Sequence, residues 1–184
     1  MTNFFKDLHW FNTFLPSFNG MSYFAKSFSP DNEVYLDACL EGVGAVFGGR
    51  CYAAPFPKFS DNKLTIVHLE MINIVVALRV WGSLWAHTRI RFHCDNQAVV
   101  RVVAHGRTKD DFLAAAIRNI WLLCGHWDIE FEIVHIRGKG NVLADTLSRM
   151  FSSCSLSHSV VKHLATNFKW EQVDPTHFSL NLSL

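Results

Sequence analysis

VYLDACLEGVGAVFGGRCYAAPF, residues 34–56, decides the fold of this chain. Three β-rich runs follow one another, separated by a turn at Glu41 and Gly42 and by Gly48–Gly49, and ended by Pro55 and Pro57. Starting near Glu33, they read as an antiparallel meander. Small residues in the second run, Gly42 and Gly44 among them, suit close backbone approach. Asp37 stands inside the first run behind Val34, Tyr35 and Leu36, where an unpaired acid is costly to bury.

Downstream, apolar residues at 69, 72, 76 and 80 recur at helical spacing, which predicts a helix from about Thr65 to Trp85 capped by Asp61 or Asn62. RIRFHCD is a short strand with Phe92 and Cys94 on one face and His93 and Asp95 on the other. NQAVVRVVAHG is a short helix stopped by Gly106, FLAAAIRNIWLLCGHW a strong helix, DIEFEIVHIRG an alternating strand and NVLADTLSRMF the last helix. The order βββ-α-β-α-α-β-α predicts an α/β layer sandwich. Its expected mixed sheet has five strands, three antiparallel and two parallel, flanked by helices.

The 184 residues fit one domain of ordinary size with flanking segments. Residues 31–150 carry the domain. Residues 1–30 are aromatic and irregular, with Trp10, Phe11, Phe14 and Leu15 placed for a short amphipathic helix that packs on something. Residues 151–184 read as a Ser-rich C-terminal extension unlike a core, expected to be poorly ordered. A net charge of +1 does not advertise a nucleic-acid binder, so any such binding comes from local patches. The patch in view is Arg101, His105, Arg107 and Lys109, diluted by Asp110 and Asp111. Five cysteines, far apart and without a C-x-x-C pair, indicate neither a zinc ribbon nor a disulfide framework. They read as reduced thiols of an intracellular protein, in cytoplasm or nucleus. The longest strongly apolar stretch, MINIVVAL, is short of the roughly 20 residues a membrane span needs, and no secretory signal is visible.

Charged residues make up only 18% of the chain, so acids planted in apolar runs need an explanation. Four stand out: Asp37, Glu70, Asp95 and Asp145. Each has a bland reading. Asp37 is a strand-edge acid, Glu70 a first-turn acid favoured by the helix dipole, Asp95 a helix N-cap and Asp145 a solvated helix position. Two unit charges about 4 Å apart repel by roughly 4 kcal/mol at a protein-like dielectric. Four acids gathered at one point would therefore call for divalent cations. His135, ten residues before Asp145 with Gly138, Gly140 and Asn141 between, suits proton transfer to a leaving oxygen. Its bland reading is a strand-end histidine with a local hydrogen bond.

YLDACLEGVGAVF, HLEM, CDNQAVV and HIRGKGNVLADTLSR resemble, in order, the four motif blocks of the type 1 ribonuclease H domain attached to retroelement reverse transcriptases. The last block is close to the form seen in long-terminal-repeat and tyrosine-recombinase retrotransposons. The resemblance covers about residues 33–150. It implies a ribonuclease H-like fold and hydrolysis of the RNA strand of an RNA–DNA hybrid with two Mg²⁺ ions, Mn²⁺ being a substitute. It implies metal ligands at Asp37, Glu70, Asp95 and Asp145, a mobile histidine at His135 and a loop asparagine at Asn141. Asn96 and Gln97 fall where the family meets the minor groove, with Arg101, Arg107 and Lys109 as further substrate contacts. DLHWFNTFLPSFNGMSYF is similar to the connection that follows the polymerase in such elements, and WEQVDPTHF to a segment downstream of the nuclease. The implied partners are the hybrid and the polymerase part of a reverse transcriptase; no membrane is implied. Ile66 and Val67 depart from the polar residues of cellular members, and GRTKD leaves no room for their basic protrusion. A catalytically weak remnant that packs on a polymerase is the competing expectation, and a related nuclease or transposase-like enzyme of the same superfold a third.

Overall fold

The computed structural model describes residues 3–17, 29–57, 64–152 and 158–181. The meander forms as β1 (Asn32–Ala38), β2 (Gly42–Phe47) and β3 (Arg50–Pro55). Gly48 and Gly49, at φ of +50° and +76°, make the tight β2–β3 turn that only glycine adopts cheaply. β4 (Arg89–Cys94) and β5 (Glu130–His135) add in parallel beside β1. The sheet order is β5-β4-β1-β2-β3-β6, so it has six strands and not the expected five. The sixth, β6 (Lys169–Trp170), is a two-residue strand parallel to β3, too short to show any alternation in sequence.

Helices α2 (Ile66–Trp81), α3 (Gln97–His105) and α4 (Asp111–Trp127) cover one face. The short α5 (Val142–Ser148) covers the other, with α6 (His158–Asn167) beside it. The larger core lies under α2 to α4 and holds Trp81, Trp85, Ile90 and Phe92 fully buried; a smaller one of Val46, Cys51, Leu147 and Leu164 lies under α5 and α6.

α2 is capped by Thr65, which forms a capping box with His68; Asp61 and Asn62 lie outside the described residues. The helix ends at Trp81 and runs on as a 3-10 turn to Leu84, slightly short of the expected Trp85. With that turn, Ile66–Leu84 has the length and composition of a membrane span. Most of it is buried against the sheet and α4, which is how a core helix passes the same test.

Both flanks pack on this core. In α1 (Asn3–Phe14), the Trp10 indole donates to Arg118 O at 2.9 Å, and Phe14 fills the space left by Gly125, where a Cβ would meet its ring at 2.6 Å. At the other end, Arg79 of α2 donates to the carbonyls of Thr176, His177 and Ser179 and to Asn119 Oδ1. Asn119 in turn donates to Leu180 O at 2.9 Å. A half-buried guanidinium thus ties the last described residues onto α2 and α4.

Candidate functional site

The C-terminal ends of parallel strands β1 and β4 point the same way, which is where open α/β sheets place ligands. A cleft of about 740 Å³ opens there, lined by Asp37, Glu70, Asp95, Asn96, Gln97, Asp145 and Arg149 among others. Asp37 is the penultimate residue of β1, Asp95 follows β4, and Glu70 comes up from α2. One carboxylate oxygen from each of these three lies within 4.8 Å of the other two. Three of the four expected acids therefore converge.

Their bland readings fail one by one. Asp95 does not cap α3, because Asn96 does, accepting from the N–H groups of Ala98 and Val99 at 3.0 and 3.4 Å. Glu70 is not a first-turn acid; it lies one turn further in and is 3% exposed. Asp37 is 5% exposed on a central strand. Asp145 behaves differently. It lines the same cleft but stands outside the trio, accepting from Arg149 Nε at 2.6 Å across one turn of α5. Its solvated-helix reading fits its present place.

Burial and like charge set the electrostatics. Desolvation pushes the Asp37 carboxyl up to about 7, the neighbouring Asp95 and Asp145 adding to the rise and the Ser148 hydroxyl opposing it. Glu70 is pushed well above the carboxylate range, by burial first and then by Asp37 and Asp95. A raised acid binds more protons folded than unfolded, so stability is greatest at low pH and falls as pH rises from about 4 through about 7. The metal-free chain should lose a few kcal/mol over that window. Thermal midpoints in a chelator, measured from pH 4.5 to 8, check this, and Mn²⁺ should reverse the loss at pH 8. A midpoint that climbs with pH in chelator would contradict it.

The trio fits a hard divalent cation: it offers only carboxylate oxygens, close together and short of compensating positive charge. Asp37 and the residue before it are also held from three sides. Asn73 donates to Asp37 O at 2.8 Å and to Gly44 O at 3.0 Å, and Tyr52 donates to Asn73 Oδ1 at 2.7 Å. Asn141 donates to Leu36 O at 2.8 Å and Ser148 to Asp37 Oδ2 at 2.5 Å. Sequence reading missed Asn73, Tyr52 and Ser148. Asn73 was findable, since an amide inside MINIVVAL must be paired when buried.

The remaining expected residues are scattered more widely. His135 is the last residue of β5 and is exposed, with Nε2 3.2 Å from Asp95 O. Its strand-end reading is met, and it still lies beside an acid of the trio. The 3-10 turn Gly138–Gly140 approaches the site as well, a Cβ at Gly138 lying 3.4 Å from Asp95 Oδ2. Asn141 is 2% exposed, and its side-chain amide donates inward to Leu36 O of β1. Asn96 and Gln97 line the cleft. Arg101, Arg107 and Lys109 are exposed around the end of α3, and Arg107 lines a second cleft beside α1.

A family described as reverse transcriptase-like matches residues 48–151, which takes in Glu70, Asp95, His135 and Asp145 but not β1 and Asp37. Among solved structures, the chain is similar to RNase H1 of the halophilic archaeon Halobacterium salinarum NRC-1 at 22% identity and TM-score 0.51, over 63% of this chain and 92% of that one. It is also similar to the N-terminal RNase H domain of rv2228c from Mycobacterium tuberculosis, solved fused to maltose binding protein, at 15% identity and TM-score 0.50, over 75% of this chain and 98% of that one. Comparison with curated proteins finds no match. At such identities the two structures speak to fold, and they agree with the sheet and helices described above. The family match spans more than half of the chain, which therefore belongs to the reverse transcriptase-like family, and its fold is like that of the two RNase H structures.

Proposed function

We propose that this domain hydrolyses the RNA strand of RNA–DNA hybrids with divalent cations, two Mg²⁺ ions or Mn²⁺ in their place, as the nuclease part of a retrotransposon-type reverse transcriptase acting inside the cell. The convergence of Asp37, Glu70 and Asp95 within 4.8 Å carries this reading. In it, the trio holds the cation, and Asp145 joins from the rim of the cleft when Arg149 releases it. A bound divalent cation supplies charge neutralisation, activation of a water and stabilisation of the leaving oxygen. Asn96 and Gln97 reach the sugar edges that tell RNA from DNA. Arg101, Arg107 and Lys109 meet phosphates.

His135 takes the proton-transfer role, being exposed beside Asp95, with its ring Nε2 3.2 Å from Asp95 O. His135→Ala should slow cleavage about 10²-fold, at the low end of general acid–base effects, with Mn²⁺ affinity unchanged. Single-turnover rates with a Mn²⁺ titration check both halves, and loss of cation binding in that variant would make the histidine a ligand instead.

The ion pair of Asp145 with Arg149 favours a second reading, a catalytically weak remnant that serves as a packing module for a polymerase. Incubating the whole chain with labelled hybrid, single-stranded RNA and DNA duplex in Mg²⁺ separates the two. The nuclease cuts the hybrid alone; the remnant cuts none.

A further inference from the structure

Ser148 ends α5, and its side chain is fully buried. The hydroxyl oxygen lies 2.5 Å from Asp37 Oδ2 and 2.9 Å from Asp145 O, three residues back on the same helix. A buried helical serine can always satisfy itself on such a carbonyl. Thr146, on the same helix, does so, donating to Val142 O at 2.8 Å. Ser148 therefore does not need Asp37, whereas Asp37 gains from it a charge-assisted donor inside a desolvated site.

The rest of the local structure fixes where that hydroxyl stands. Asp37 pairs across β1 and β2 with Gly44. A Cβ at Gly44 would lie 2.5 Å from Ser148 N and 2.6 Å from Ala144 O, so α5 rests directly on the strand beside Asp37. From the opposite face, Asn73 grips the main-chain oxygens of Asp37 and Gly44. The main chain of Asp37 is held by α2 and its carboxylate by α5.

We propose that Ser148 is a positioning residue: its hydroxyl orients the Asp37 carboxylate so that the three acids share one divalent cation. This rests on the reading of Asp37, Glu70 and Asp95 as a cation site. A partner that orients a metal ligand typically contributes 10- to 100-fold in metal affinity or activity. Because Ser148 and Asp145 lie one turn apart on α5, the same helix sets the first acid of the site and carries the fourth.

The test is a calorimetric Mn²⁺ titration of the whole chain as wild type, Ser148→Ala, Ser148→Thr and Thr146→Ala, followed by hybrid cleavage. Ser148→Ala should weaken Mn²⁺ binding about tenfold or more and lower kcat, with KM for the hybrid unchanged. Ser148→Thr, which keeps the hydroxyl, should restore affinity. Thr146→Ala, which removes a buried hydroxyl from the same helix, should leave it at the wild-type value. Wild-type Mn²⁺ affinity in Ser148→Ala overturns the proposal, as does equal weakening in Thr146→Ala or a wild-type chain that binds no Mn²⁺. A wild-type chain that binds Mn²⁺ yet leaves hybrids intact overturns the nuclease reading alone, and Ser148 is then judged on the affinities.

Discussion

Asp95→Asn should abolish hybrid cleavage while making the metal-free protein more stable. Asp95 lies within 4.8 Å of both Asp37 and Glu70 through its ligand oxygen, and its charge raises both neighbours. The amide keeps the shape and one acceptor oxygen but no charge, so the trio loses one of its three carboxylates. A loss of 10³-fold or more in rate corresponds to about 4 kcal/mol of transition-state stabilisation. The same change removes the repulsion that half-buried Asp95 exerts on the two buried acids, so the thermal midpoint in chelator at pH 8 should rise. α3 should be unaffected, because its cap is Asn96. Activity down and metal-free stability up is the signature of a functional site carrying strain for its chemistry. Cleavage rates and midpoints on the same preparation decide it, and an Asp95→Asn protein cutting hybrids at the wild-type rate would sink the assignment.

The largest stability effect should come from Gly44→Ala. The added Cβ would meet Leu147 Cβ and Ser148 N at 2.5 Å and Ala144 O at 2.6 Å. Two of these are main-chain atoms of α5, so no rotamer change relieves the clash, and the helix must move off β2. That movement also disturbs the hydrogen bond from Ser148 to Asp37 and the one from Asn73 to Gly44 O. Overpacking of this kind costs about 3 kcal/mol or more, roughly a 10 °C drop in midpoint for a domain of this size. Gly48→Ala is the comparison. Its φ of +50° resists a side chain, but nothing lies within 4 Å, so the cost should be about 1 kcal/mol. Equal midpoints for Gly44→Ala and wild type would show that α5 does not rest on the strand as described.

Much of this was legible because local pattern and tertiary role agree. The residues 34–56 form the three strands that their β-branched runs and glycines predict, and FLAAAIRNIWLLCGHW is the core of α4. What escaped had a physical reason in each case. Asp95 and Asn96 are adjacent and equally good caps, so pattern alone could not say which one the helix uses. Glu70 read as a first-turn acid although the cap at Thr65 puts it a turn further in, where its burial becomes a cost. Asn141 sits in a Gly-rich stretch that looks solvated, yet its amide serves Leu36 O. Asp145 stands four residues before Arg149, and whether it pairs there or joins the trio depends on side-chain reach, not on motif. The tail's attachment runs through Arg79 to main-chain carbonyls, which leave no trace in residue identity.

The central claim, that Asp37, Glu70 and Asp95 together serve cation-dependent hydrolysis of the RNA strand, is tested most directly by the ends of the products. Whole chain is incubated with labelled RNA–DNA hybrid across a Mg²⁺ titration and in chelator, and the RNA fragments are resolved by end group. The account predicts fragments with 3′-hydroxyl and 5′-phosphate ends that rise with Mg²⁺ and vanish in chelator. Cleavage that persists in chelator, or leaves a phosphate on the 3′ side, would contradict it, as would an intact hybrid at every Mg²⁺ concentration.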